Sequence, residues 1–177
     1  IYLQKQRGTV HSPTNTLAPK TTVQTIATGD LNNDLRIDLV TLADEKITVQ
    51  YNGLQKAETF RLANLNATNV QLVDYDNDGW LDIFVFGQGL RSFRNKGIAG
   101  FEDTTIALGL DSITEVISQI AAADIDRDGD SDLILANDSS LKYLRNDGGN
   151  KNLQLKIRLY GNRSNASGLG IQVEGVT

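Results

Sequence analysis

The chain contains no cysteine and no methionine, and it has only one histidine, one tryptophan and two prolines in 177 residues. Without cysteine there are no disulfides, no zinc–thiolate sites and no thiol nucleophiles. That absence does not fix the compartment, because many secreted bacterial proteins lack cysteine. The one histidine, His11, lies in a polar stretch flanked by Pro13 and reads as a surface residue. With no Gly-rich loop before a helix either, catalytic triads and phosphate-cradling loops have no support. No apolar run approaches the roughly 18 residues of a membrane helix, so no membrane span is expected. Basic residues are outnumbered, 17 against 22 acidic, for a net charge of −5, which argues against a nucleic-acid surface. Starting at Ile1 without a single Met, the chain is expected to be a processed or excerpted piece of something longer. Hydrophobic residues make up 40% and charged residues 22%, a globular composition, and the length allows one sizeable core.

The acid is concentrated. Twelve of the 22 Asp and Glu residues fall in three nine-residue windows: Asp30–Asp38, Asp74–Asp82 and Asp124–Asp132. Repulsion disfavours such clusters on a plain solvated surface, and nothing random repeats one pattern three times. The pattern is D-x-[DN]-x-D-[GL]-x-x-D. Its odd places put oxygens on one side of a tight loop, as a hard oxygen-seeking cation requires. The candidate ligands are Asp30, Asn32, Asp34, Arg36 and Asp38; then Asp74, Asp76, Asp78, Trp80 and Asp82; then Asp124, Asp126, Asp128, Asp130 and Asp132. The seventh residue of each set, Arg36, Trp80 or Asp130, would offer its backbone carbonyl. Gly79 and Gly129 hold the sixth place, where the turn needs a left-handed backbone. Leu35 stands there in the first loop, which marks that site as the weakest. Calcium accepts six to eight oxygens in irregular geometry and is the expected cofactor, whereas magnesium wants a tighter octahedron.

An EF-hand would need a bidentate Glu at place twelve. Counting from the three first aspartates gives Thr41, Val85 and Leu135, and none can serve. The windows also lead into Ile37–Ala43, Leu81–Gly87 and Asp132–Ala136, short apolar runs whose branched and aromatic residues make them strands.

The repeat extends beyond the acid. Window starts are 44 and 50 residues apart, and an Asn (Asn52, Asn95, Asn146) falls 22, 21 and 22 residues after each start. These Asn residues close a second strand and, with the glycines after them, read as turn signals. Third strands follow at Glu58–Leu62, Gly100–Asp103 and Leu153–Tyr160. Ser112–Glu115 looks locally like a capping box before a helix, but the repeat alignment puts the stretch after it, Val116–Ala123, on a strand. Units of about 45 residues with four short strands mean propeller blades. The expected fold is all-β, a partial β-propeller of about three four-stranded blades with calcium-binding loops. Its divisions are 1–20, the tail of a preceding blade or a linker; repeats at 21–63, 64–110 and 111–150; and a separate segment at 151–177. Three blades cannot close a ring of four to eight, so further blades or self-association are expected partners.

The three loops, the D-[IL]-x-[LFV] strand starts and the segments Leu90–Asn95 and Leu141–Asn146 resemble the VCBS or FG-GAP repeats of the integrin α-like propellers. The tail, Asn152–Gly161 followed by Ser164–Val173, resembles the start of an ASPIC/UnbV module, with Ala166 where that family often has Arg. The resemblance implies an extracellular, periplasmic or cell-surface location. It also implies a non-enzymatic recognition or adhesion module whose protein or glycan ligand is unknown. Two alternatives remain open: a part of a secreted polysaccharide-acting enzyme, and an architectural spacer of a cell-surface protein. The Asp pairs are not expected to be catalytic, since a calcium ion would keep them ionised where glycoside hydrolysis needs one raised pKa.

Overall fold

The computed structural model describes residues 22–51, 56–62 and 65–148. Eleven strands among them form three antiparallel sheets. The first sheet runs β1 (Val23–Gly29), β2 (Asp38–Ala43), β3 (Lys46–Tyr51), β4 (Lys56–Arg61). The second runs β5 (Ala67–Val73), β6 (Asp82–Gly87), β7 (Gly89–Asn95), β8 (Phe101–Asp103). The third has β9 (Gln119–Ala123), β10 (Asp132–Ala136) and β11 (Leu141–Leu144). In every sheet the strands follow in chain order, each paired with the next. The three sheets are the expected blades. The last strand expected for the third blade, Leu153–Tyr160, lies outside the described residues, as do the segments 1–20 and 151–177 and the turn at Asn52.

Tight turns make this meander possible. Asp44 and Glu45 join β2 to β3 with φ of 48° and 54°, the paired left-handed conformation that matches strand twist in a two-residue hairpin. In the second blade Gly89 (φ 98°) opens β7 directly after Gln88.

The blades stack face to face. β1 and β2 pack against β5, and β5 approaches β9, so the first strands of successive blades lie nearest one another. The side-chain alternation of β6 shows how the stacking works. Ile83 and Val85 point to a core shared with Val40, Leu42, Ile47 and Val49 of the first blade. Phe84 and Phe86 point to a second core shared with Leu133 and Leu135 of the third. All six residues of β6 are buried, whereas β2 alternates buried and half-buried, because among the described residues it has a neighbouring blade on one side only. That is why the sequence run is apolar at every position in the middle blade.

The local helix signal at Ser112 is overridden. A single 3-10 turn spans Leu110–Ser112, and the chain then extends into β9. Ile113 and Ile117 insert into the second core, and the Ile117 N–H donates to the Gly87 carbonyl at 2.7 Å. Core contacts therefore outweigh the capping pattern. Among the described residues no helix is long and apolar enough to cross a membrane.

Candidate metal centres

Each acidic window is the loop between the first and second strand of a blade, and each closes on itself. The first aspartate accepts backbone N–H groups from across the turn: Asp30 from Asp34 (3.2 Å) and Leu35 (2.7 Å), Asp74 from Asp78 (3.2 Å) and Gly79 (3.0 Å). The fifth aspartate accepts the N–H of the seventh residue: Asp34 from Arg36, Asp78 from Trp80, Asp128 from Asp130, at 2.9–3.0 Å. The sixth residue is left-handed throughout, with φ of 65° at Leu35, 86° at Gly79 and 110° at Gly129. Leu35 thus adopts the glycine conformation without being glycine, and its side chain is 78% exposed.

These turns bring the odd-numbered carboxylates together. In the second loop Asp74, Asp76 and Asp78 each present an oxygen, all within 4.8 Å of one another; in the third, Asp124, Asp126 and Asp128 do the same. In the first loop the third place is Asn32, whose Nδ2 donates to Asp34 Oδ2 at 3.1 Å. A converging all-oxygen set of three carboxylates fits a hard divalent cation. The third loop adds a further sign: Asp130 is fully buried, its Oδ1 accepts from Asn77 Nδ2 at 3.0 Å, and its Oδ2 makes no hydrogen bond. A buried carboxylate oxygen without a partner is costly unless a positive charge is near. Burial pushes the Asp74 and Asp76 carboxyls up. At Asp74 the N–H bonds from Gly79 and Asp78 oppose this. At Asp76 the charge of Asp78 adds to it, while Arg94 works against it.

The ninth aspartates stand apart from the triads. Asp38, Asp82 and Asp132 are fully buried at the head of the second strand. Each folds back to accept the N–H of its loop's second residue: Leu31 (2.9 Å), Tyr75 (3.1 Å) and Ile125 (3.0 Å). The other oxygen of Asp82 takes the Asn95 N–H at 2.8 Å, and that of Asp132 the Asn146 N–H at 2.9 Å. Burial pushes Asp82 up to about 7 against these bonds. The ninth carboxylate therefore locks the loop to the strand pair behind it. Arg36, Trp80 and Asp130 hold the seventh places through the N–H bonds to the fifth aspartates.

Four asparagines and one arginine matter here more than their sequence reading suggested. Asn95 is buried, and its Nδ2 donates both to Leu81 O (3.1 Å) and, across the blade boundary, to Leu31 O in the first loop (2.8 Å). Asn146 repeats this one blade later, bonding Ser131 O and Tyr75 O of the second loop. Each also accepts an N–H two residues on, from Gly97 or Gly148, so the turn reading holds as well. In the opposite direction Asn33 Nδ2 donates to Gly79 O (3.2 Å) and Asn77 Nδ2 to Gly129 O (3.3 Å). Adjacent loops are thus pinned to one another twice. The recurrence of Asn after each window was the visible signal for the first pair. Asn33 and Asn77 sit in the variable fourth place and gave none. Arg94 reaches the second triad from the end of β7, with Nη2 2.5 Å from Asp76 Oδ2 and 3.0 Å from Asp78 Oδ2.

The profile of the FG-GAP-like repeat matches this chain twice, over residues 30–85 and 74–135. Both matches begin at the first aspartate of a loop, run through the rest of that blade and end in the second strand of the next, β6 or β10. Together they span more than half of the chain. No curated protein matches it.

Proposed function

Because the chain belongs to the FG-GAP-like repeat family, we propose that it is a calcium-stabilised set of propeller blades serving extracellular recognition or adhesion, without an enzymatic activity of its own. The observation that carries the reading is the convergence of three carboxylates at equivalent places in consecutive blades. When bound, the cation would neutralise those charges. Asp74, Asp76 and Asp78, and Asp124, Asp126 and Asp128, would hold it, and Asp30, Asn32 and Asp34 would form a weaker third site. The chain's own contribution is to present these oxygens on turns that the ninth aspartates and Asn95 and Asn146 fix to the sheets. Three ions would add six charges to the net −5, leaving the loaded chain close to neutral.

The proposal includes the finer assignment to VCBS-type repeats, with the start of an ASPIC/UnbV module at 151–177, on the residues quoted above. It also includes an extracellular, periplasmic or cell-surface location. Among the described residues the outer faces of the first and third blades have no neighbouring blade, which favours partners that extend the propeller, either further blades or another copy. A protein or glycan ligand would be read by loops at one end of the ring. A thermal melt tests the stabilising role. Binding to the folded state alone stabilises by about 2.7 kcal/mol at a hundredfold excess over Kd, so EDTA should lower the melting temperature and added calcium restore it. An unchanged melt in a calcium-binding chain would remove the structural role.

A further inference from the structure

The three loops share one pattern but differ in the charge that the chain itself brings to them. The residue before the asparagine that recurs after each window is Tyr51 in the first repeat, Arg94 in the second and Arg145 in the third. Arg145 turns to Asp147, with Nε 2.9 Å from Oδ1 and Nη2 3.0 Å from Oδ2. Arg94 instead bridges Asp76 and Asp78, two of the three carboxylates of its triad, as described above. Asp76 and Asp78 are only 16% and 20% exposed, so this bridge lies in the shielded part of the loop. Both contacts come from one nitrogen, Nη2, and Nε makes no hydrogen bond. The guanidinium therefore does not use the Nε–Nη2 fork that makes many arginine–carboxylate pairs strong, and its side chain is 36% exposed.

A divalent ion needs the same carboxylates that Arg94 holds, and two cations crowded onto them repel. We propose that Arg94 is an internal competitor for the cation of the second loop. It draws Asp76 and Asp78 together when the loop is empty and is displaced when an ion enters. The inference rests on reading the loops as cation sites. It makes the second loop weaker than the third although both carry the same three carboxylates. It also lets the second loop keep its shape before loading.

Trp80, the one tryptophan in the sequence, lies in the second loop, so terbium(III) bound there can be excited through the indole. In the full chain, Arg94→Gln should tighten tryptophan-sensitised terbium binding about tenfold, the equivalent of roughly 1.4 kcal/mol. Calcium should displace the signal. Arg145→Gln should leave that affinity within about twofold, because its guanidinium is committed to Asp147. Arg94→Lys, which keeps a positive charge at the loop, should stay near the wild type. An Arg94→Gln affinity equal to or weaker than the wild type would overturn the proposal while leaving the cation reading intact. Absence of terbium and calcium binding at every loop would overturn the cation reading itself. A measurement on the wild type covers the case in which Arg94→Gln does not fold. The nitrogen resonances of the Arg94 guanidinium, assigned with Arg94→Lys, should shift as the tryptophan-sensitised site fills; resonances that stay fixed through saturation would contradict displacement.

Discussion

Asn95 shows how much a single side chain does in this molecule. It is 1% exposed, and its amide satisfies carbonyls in two blades. Removing it leaves Leu31 O without that donor in a buried place and Leu81 O in a half-buried one, at about 1–3 kcal/mol for a fully buried stranded group. Asn95→Ala should therefore lower stability by roughly 3 kcal/mol in urea denaturation. Asn146→Ala, at the half-buried end of the stack, should cost about 1 kcal/mol. Equal effects would mean that burial does not set the cost of losing this inter-blade bond, which both residues make. Leu35 is the opposite case. Its φ of 65° strains a non-glycine residue, by roughly 1–2 kcal/mol. Glycine would relieve this and lose about 0.5–1 kcal/mol to the freedom of the unfolded chain. Leu35→Gly should then stabilise by about 0.5 kcal/mol. A loss of stability would show that the exposed leucine packs in a way its 78% exposure denies. The left-handed sixth place could be read from Gly79 and Gly129 because glycine adopts that conformation at the least cost. The inter-loop bonds of Asn33 and Asn77 could not, because the fourth place tolerates Arg127 as well, at φ 69°.

At the scale of the element, β6 carries the stack. Phe84 is 2% exposed and meets Tyr75 edge to face, with ring centroids 5.8 Å apart. Phe84→Ala should cost about 3–5 kcal/mol, the usual loss for an aromatic in a closed core. Ile134 occupies the matching place in β10, on the open face of the third blade, and is only half-buried. Ile134→Ala should cost about 1 kcal/mol. Denaturant midpoints for the two variants check the contrast, and a similar loss at both positions would mean that a further layer covers the third blade. The strands themselves were readable because a window of aspartates followed by a branched apolar run is a local signal. The ends of the third strands were not. The sequence suggested Glu58–Leu62, whereas β4 is Lys56–Arg61, because pairing with β3 sets the register and polar residues on a half-exposed strand mark no boundary. The stretch before β9 was misleading locally, since Ser112–Glu115 satisfies a capping pattern. Only the repeat alignment, which reflects the packing of Ile113 and Ile117, pointed to extended chain.

For the molecule as a whole, the blade count and the place of the loops followed from periodicity, a property of the entire chain rather than of any one segment. How the second and third sites differ was not readable, because it depends on where side chains from neighbouring strands arrive: Arg94 into the second loop, Arg145 to Asp147 beside the third. The open faces also follow from the count. Ile26 on the first blade and Leu141 and Tyr143 on the third remain 60%, 75% and 46% exposed, as expected of blades that, among the described residues, have a neighbour on one side only. Calcium uptake by the loops is the property from which the stabilising role follows. Calorimetric titration of the chelator-treated chain with calcium tests this most directly. Two or three sites should appear, with the step contributed by the third loop abolished in Asp126→Asn. A flat titration, or an uptake that Asp126→Asn leaves unchanged, would contradict it.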